Sequence, residues 1–368
     1  MRYSIGIDAH KKTSQISVLD RDTGLFVFRK SIRSWPKRFE GELAPYLSEE
    51  ILIEASTVSL WLAPFLRSLG HKVVVGDPNN PLMYASRPRH CKNDSKDADA
   101  LAFALKNKHY SVVYEPNEEQ RPIAELLGTR TSQIRRRTSN INRVRALYAS
   151  RGVELANGDA DTFWSRVKAL PLGERVPAAE PLLDELAMLE DLIAASEKKV
   201  NALAANHPVA RRLMTVPGVG PMVALAYYVK IGDPSRFGSA RQVEAYLGLI
   251  PVIHASAKPG EGKRISKRGS SSLRGLLGNA AWSHVGSSDA KAQPLREWFL
   301  TAEQRMGSGK AITAVTRKLA GILFAMWRDG NDFELREAKA TQAKPAPQTR
   351  VRARRYQLKS SRPLATGV

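Results

Sequence analysis

The sequence predicts an α/β N-terminal domain followed by two all-α units. Three observations carry that reading. Short β-type runs crowd residues 2–76, three- and four-residue apolar spacing fills residues 182–205, and glycine-rich breaks separate helical stretches over residues 209–330. The chain has 368 residues, 43% hydrophobic and 25% charged, enough for two or three domains with their own cores.

The elements follow in order. Residues 2–9 run through Ile5, Gly6 and Ile7 to Asp8 as a strand, and residues 14–20 alternate around Ile16 and Val18. The turn Arg21-Asp22-Thr23-Gly24 returns the chain through a third strand over residues 25–30. A helix is expected over residues 36–47 despite Pro45. Ile51-Leu52-Ile53-Glu54 reads as a short buried strand, followed by a helix over residues 57–69 that Gly70 closes. Residues 72–75 form another strand, Asp77-Pro78-Asn79-Asn80-Pro81 breaks it, and a helix spans about residues 93–106. Three antiparallel strands followed by β-α-β-α is the element order of an RNase H-like domain, here residues 1–115.

Residues 116–208 predict a linker that is helical throughout 116–206. Its first half carries Arg130, Arg135, Arg136, Arg137, Arg143 and Arg145. In its second half Leu183, Leu186, Leu189, Ile193, Val200 and Leu203 recur at helical spacing with one gap, at Ser196. That pattern suits an antiparallel hairpin or an intermolecular coiled coil. Residues 209–335 form the third unit. The tail, 336–368, carries eight Lys/Arg from Lys339 onward and no acid after that point, the composition of a disordered segment.

Lys+Arg total 57 against 36 Asp+Glu, a formal charge of +21. Such an excess favours a polyanionic partner, nucleic acid before an anionic membrane. The longest apolar-rich stretch, residues 319–327, is too short to span a bilayer, so no membrane partner is expected. Cys91 is the only cysteine, which excludes a disulfide framework and a cysteine-based zinc site. The N-terminus reads as a strand rather than a signal peptide. A soluble cytoplasmic protein is the expectation.

Four acids stand out. Asp8 ends the first strand, Glu54 ends the fourth, and Asp94 and Asp97 lie three apart on one helix, about 60° around its axis. Converging carboxylates repel one another, and a divalent cation resolves that conflict; two Mg²⁺ ions could flank a phosphodiester. The plainer alternative makes Asp94 an early-helix acid favoured by the dipole and Asp8 a turn residue.

Pro217-Gly218-Val219-Gly220 precedes an apolar helix and resembles a helix-hairpin-helix element, in which Gly218 and Gly220 let backbone N–H groups approach a phosphate. The bland alternative is a tight helix–helix turn. Further on, Lys258, Lys263, Arg264, Lys267 and Arg268 crowd a loop of small residues followed by Arg274. Such a loop can wrap a phosphate backbone. It leaves Ser256 or Ser266 near a phosphorus, and the residues alone do not choose between them. The arginine run of residues 130–145 is likewise a candidate phosphate contact, or else a solvated helix face.

Taken together, these segments resemble the DEDD transposases of bridge-RNA-guided insertion sequences, a group that includes the Piv-type DNA invertases. The carriers are Gly6-Ile7-Asp8 with Lys11-Lys12, Ile53-Glu54-Ala55, Lys92-Asn93-Asp94-Ser95-Lys96-Asp97-Ala98 and Pro217-Gly218-Val219-Gly220. They continue through Gly232-Asp233 to Arg236-Phe237, Gly248-Leu249-Ile250-Pro251, and Ile265-Ser266-Lys267-Arg268-Gly269 to Leu273-Arg274. The resemblance reaches to about residue 335. It implies a RuvC-like N-terminal domain, a helical coiled-coil linker and a C-terminal transposase domain. It further implies Mg²⁺ on Asp8, Glu54, Asp94 and Asp97, and Ser256 as the nucleophile of a covalent phosphoserine link to DNA. Ala257 follows Ser256 where the family usually has glycine. Implied partners are donor and target DNA, a structured noncoding bridge RNA, and further copies of the chain in a homodimer or homotetramer. A RuvC-like structure-selective nuclease and a noncatalytic nucleic-acid scaffold are the competing readings.

Overall fold

The computed structural model describes residues 1–86, 94–252 and 264–334, with the backbone only at Asp94 and Ser95. Ser256, Lys263 and the basic tail lie outside the described residues.

Five strands form one sheet in the order β3-β2-β1-β4-β5. Strands β1 (Tyr3–Ala9), β2 (Thr13–Asp20) and β3 (Phe26–Arg33) make an antiparallel meander. After helix α1 (Pro36–Leu43), β4 (Glu50–Glu54) returns parallel to β1. Helix α2 (Ser59–Ser68) leads to β5 (Lys72–Gly76), parallel to β4. The helix expected over residues 36–47 stops at Leu43 and continues as a 3-10 turn, Ala44–Tyr46, which contains Pro45. One sheet face packs Ile5, Ile7, Ile16, Ile51 and Ile53 against Phe39, Leu43, Leu62 and Leu66, all fully or almost fully buried.

Helix α3 (Asp94–Asn107) covers the other face. Gly6 makes this close approach possible. A Cβ there would stand 2.1 Å from the Ala98 carbonyl oxygen and 2.4 Å from the Ala102 nitrogen, so only glycine lets α3 lie directly on β1. Because side chains alternate along a strand, Asp8 shares the face of Gly6 and looks toward the start of α3.

Helices α4 (Gln120–Ala149) and α6 (Glu180–Asn206) form an antiparallel hairpin within the chain. The expectation of continuous helix fails over residues 150–162, which are irregular and include Gly152 at φ +72°, before the short α5 (Phe163–Lys168). The seam is Leu183, Leu186, Leu189, Ile193, Ser196 and Val200, all buried. Ser196 fills the gap in the apolar pattern by hydrogen bonding Gln133 Oε1 at 2.9 Å. Leu203 is 40% exposed and Ala204 takes its place, because a straight helix drifts from a strict heptad toward 3.6 residues per turn.

The third unit comprises α7 (Pro208–Leu213), α8 (Pro221–Ile231), α9 (Ala240–Tyr246), α10 (Ser271–Gly286), α11 (Gln293–Met306) and α12 (Ser308–Asp329). Its core includes Leu213, Leu225, Tyr227, Leu277, Leu319 and Phe324, and reaches into the hairpin through Ile123, Val200 and Ala204. Buried Tyr227 satisfies its hydroxyl on the Ala320 carbonyl at 2.7 Å. No helix among the described residues is long and apolar enough to cross a membrane.

Candidate active site

In the parallel β1/β4 ladder Ile7 pairs with Ile53, so Asp8 and Glu54 follow side by side on the same sheet face at the ends of their strands. Both strands are held by buried isoleucines, so the carboxylates rest on rigid backbone. Asp8 is 6% exposed and Asp97, in the first turn of α3, is 9% exposed. A 3-10 turn, Pro81–Tyr84, closes the group. Met83 is fully buried against Gly76, where a Cβ would meet its sulfur at 2.6 Å; this anchor lets the next residue, Tyr84, donate its hydroxyl to Glu54 Oε2.

Burial raises the Tyr84 phenol well above its ordinary range. The bond to Glu54 and the negative charge of Glu54, Asp8 and Asp97 push it the same way. The Tyr84 hydroxyl contacts Glu54, while Asp8 lies beside Glu54 on the next strand and Asp97 opens the helix that covers this face. His10 Nε2 lies 3.2 Å from Asp8 Oδ2. The side chain of Asp94, one turn before Asp97, lies outside the described residues. Among the described residues no group of three or more His, Cys, Asp or Glu forms a ready metal cage. The donor chemistry suits a hard divalent cation: carboxylate oxygens, partly buried, on three elements. Asp99 faces elsewhere, accepting from Ser17 Oγ at 2.7 Å and Arg29 Nε at 2.9 Å, which ties α3 to the meander.

Tyr84 and His10 belong to this constellation and were not among the expected site residues. His10 carried a readable signal, since it follows the strand that ends on Asp8. Tyr84 carried none, because its reach to Glu54 depends on how Met83 docks.

Ser256 lies outside the described residues, and the residues on either side of its segment, 248–252 and 264–267, form a ladder. Val252 N–H donates to Arg264 O at 2.9 Å, Ser266 N–H to Ile250 O at 2.8 Å and Lys267 N–H to Gly248 O at 3.1 Å, while Pro251 bridges Ile265. Gly248 and Gly269, at φ +72° and +79°, interlock: a Cβ on the first would lie 2.0 Å from Arg268 O, and on the second 2.3 Å from Tyr246 O. Residues 253–263, including Ser256, connect the two rails. Ser266 Oγ is buried with no hydrogen-bond partner among the described residues. Arg264, Lys267 and Arg268 are exposed. Arg274 Nη1 donates to the carbonyls of Leu247, Arg268 and Gly269 and binds the rails together.

The structure gives the other expected contacts these surroundings. Gly218 faces inward, where a Cβ would stand 2.6 Å from the His284 nitrogen and 2.7 Å from Ala280 O, so its positive φ serves helix packing. Gly220, at the N-terminus of α8 with open space beside it, remains available to a phosphate. On α4, Arg130, Arg136 and Arg137 are paired with Glu197, Glu185 and Glu190 of α6, and half-buried Arg145 lies 5.5 Å from the Phe163 ring. Arg135 and Arg143 stay exposed.

Comparison with known proteins places this architecture. Residues 5–149 match the model of a DEDD transposase domain, described as a transposase, and residues 210–295 match that described as the transposase IS116/IS110/IS902 family. A probable family 20 transposase of Pseudomonas aeruginosa is 30% identical over 335 residues, 88% of this chain and 96% of that protein. The chain belongs to the IS110/IS116 family of DEDD transposases. This transposase is also 27% identical over 330 residues to the transposase for insertion sequence element IS1111A of Coxiella burnetii, covering 88% of each. The pilin gene-inverting protein of Moraxella bovis is 27% identical over 293 residues, 78% of this chain and 82% of that protein. The enzyme class is therefore DNA transposase or recombinase.

Proposed function

We propose that this transposase cuts and rejoins DNA strands through a covalent phosphoserine intermediate, using carboxylates of its N-terminal domain and a serine of its third unit. The observation that carries the reading is the placement of Asp8 and Glu54 side by side at the ends of β1 and β4, under the helix that begins with Asp94 and Asp97. The strand order β3-β2-β1-β4-β5, with β4 and β5 parallel to β1, supports describing the first domain as RuvC-like.

Asp8, Glu54 and Asp97, with Asp94 as the fourth, would hold divalent metal, two Mg²⁺ ions in this reading. Bound there, the metal supplies charge neutralisation at the scissile phosphate and favours ionisation of the attacking oxygen. The protein's own residues do the rest. His10 and Tyr84 hold the Asp8 and Glu54 carboxylates in orientation. The Ser256 oxygen attacks phosphorus and loses its proton; the bond from phosphorus to the departing deoxyribose oxygen breaks, and that oxygen leaves as a hydroxyl. In the second step a strand-end hydroxyl attacks the phosphoserine and returns the serine. One ester replaces another at each step, so joining needs no external energy source. Burial of the Ser266 hydroxyl favours Ser256 within this loop.

The resemblance extends the proposal to partners. A structured bridge RNA pairs with donor and target DNA, and dimers paired into a tetramer assemble each site from the RuvC-like domain of one subunit and the transposase domain of another. Arg135, Arg143, Gly220, Lys263, Arg264, Lys267 and Arg268 are the residues retained as nucleic-acid contacts.

Two substitutions test the chemistry. Ser256→Ala is expected to abolish the protein–DNA adduct while nucleic-acid binding persists, and an adduct that survives refutes the serine assignment. Asp8→Asn is expected to remove Mg²⁺-dependent strand cleavage, and unchanged cleavage refutes the metal site. Free 5′-phosphate products with no attached protein would instead indicate a hydrolytic nuclease. Copurification of an RNA transcribed from DNA flanking the gene tests guidance.

A further inference from the structure

Trp35, at the junction of β3 and α1, is 59% exposed, and its indole joins none of the hydrophobic clusters among the described residues. The guanidinium of Arg33 lies 5.2 Å from the centre of its ring. Lys11, Lys12, Arg33, Lys37 and Arg38 are all exposed around it. The cations of this domain that form ion pairs among the described residues are Arg2, His10, Arg21, Arg29, Lys30 and Arg67, none of these five.

This patch adjoins the carboxylate site. Ser34 donates its N–H to Lys12 O at 3.0 Å and its hydroxyl to His10 O at 2.6 Å, and His10 reaches Asp8. Arg33 shares the sheet face of Arg29, which pairs with Asp99 of α3, so Arg33 emerges on the face that carries Asp8. Ser31 stands opposite Asp8 across two strand spacings, about 10 Å, and Arg33 ends β3 two residues, about 7 Å, further along. A short run of nucleotides spans that distance. An exposed aromatic face among unpaired cations is the means by which proteins hold single strands, since each base has a π-face and each linkage a negative charge. In a duplex the base faces are covered by their neighbours, so the platform fits an unpaired base.

We propose that Trp35, backed by Arg33, is a stacking platform for an unpaired base of the DNA strand entering the carboxylate site, with Lys11, Lys12, Lys37 and Arg38 holding the adjoining phosphates. The proposal rests on reading the Asp8 site as one that acts on DNA, and it assigns that site a melted rather than a paired substrate strand.

The test is anisotropy of labelled oligothymidylate, oligouridylate and duplex DNA with the full-length protein in metal-free buffer. Trp35→Ala is expected to weaken oligothymidylate binding roughly 5- to 100-fold, with duplex affinity unchanged and Trp35→Phe restoring most of the loss. Equal oligothymidylate binding by Trp35→Ala and wild type overturns the platform. So does an equal loss on the duplex, which would make the effect general. A loss confined to oligouridylate overturns the assignment to DNA. Mg²⁺-dependent cleavage by the wild-type protein is read separately, so the platform can fail while the carboxylate site stands.

Discussion

The arginines of α4 and the cations beside the 248–252/264–267 ladder are both dense in positive charge, yet their surroundings differ. On α4 the guanidinium groups of Arg130, Arg136 and Arg137 meet glutamates of α6. Beside the ladder Arg264, Lys267 and Arg268 are exposed and make no ion pair among the described residues. The first set closes a hairpin, and the second presents charge outward. A positive run thus says little about polyanion binding until the carboxylates that the fold brings to it have been subtracted.

The largest difference should appear in salt dependence. Joint alanine substitution of Arg264, Lys267 and Arg268 is expected to flatten the slope of log affinity against log salt by about 2–3, since each phosphate contact contributes roughly 0.7–0.9. The same treatment of Arg130, Arg136 and Arg137 is expected to leave the slope nearly unchanged. Equal flattening in both variants would break the comparison. The paired set should instead show in stability. Arg137 and Glu190 are each 18% exposed at 3.0 Å, so Arg137→Ala is expected to cost about 1–2 kcal/mol in denaturant unfolding. A double-mutant cycle with Glu190→Ala should return a coupling near 1 kcal/mol; zero coupling would reduce the pair to a surface coincidence. Arg143→Ala, exposed on the same helix, should change stability by no more than about 0.5 kcal/mol.

A smaller effect is expected from acid. Burial lowers the pKa of His284 below its ordinary value of 6.5, despite the contact of Nδ1 with Pro217 O at 2.7 Å. Burial also lowers that of His207. The unfolded chain therefore binds these protons more readily, and the stability due to neutral, buried histidine is present above about pH 6.5 and lost as pH falls below it. The thermal midpoint should decline between pH 7 and pH 5, and replacing His284 with glutamine should shallow that decline. A midpoint that rises on acidification would reverse the sign.

Much of the sheet was legible because its signals are local. Ile5, Ile7, Ile16 and Val18 alternate on strands that pair with their neighbours, and the turn at residues 21–24 fixes the meander. Asp8 and Glu54 end strands that lie side by side, so their placement followed from topology. The partners of the α4 arginines were not legible, since Glu185, Glu190 and Glu197 reach them only through the hairpin's register. Tyr84 depends on a methionine docking against Gly76, and Gly218 on the approach of α10; both are tertiary events with no short-range pattern. Ser196 looked like a defect in an apolar stripe because its partner, Gln133, lies on the other helix.

The interlocked Gly248 and Gly269 have a consequence for engineering. The rails are fastened by main-chain groups and by Arg274, and a side chain at either glycine would collide with the opposite rail's backbone. Alanine at Gly248 or Gly269 would therefore spring the clasp from within, without touching any charged group.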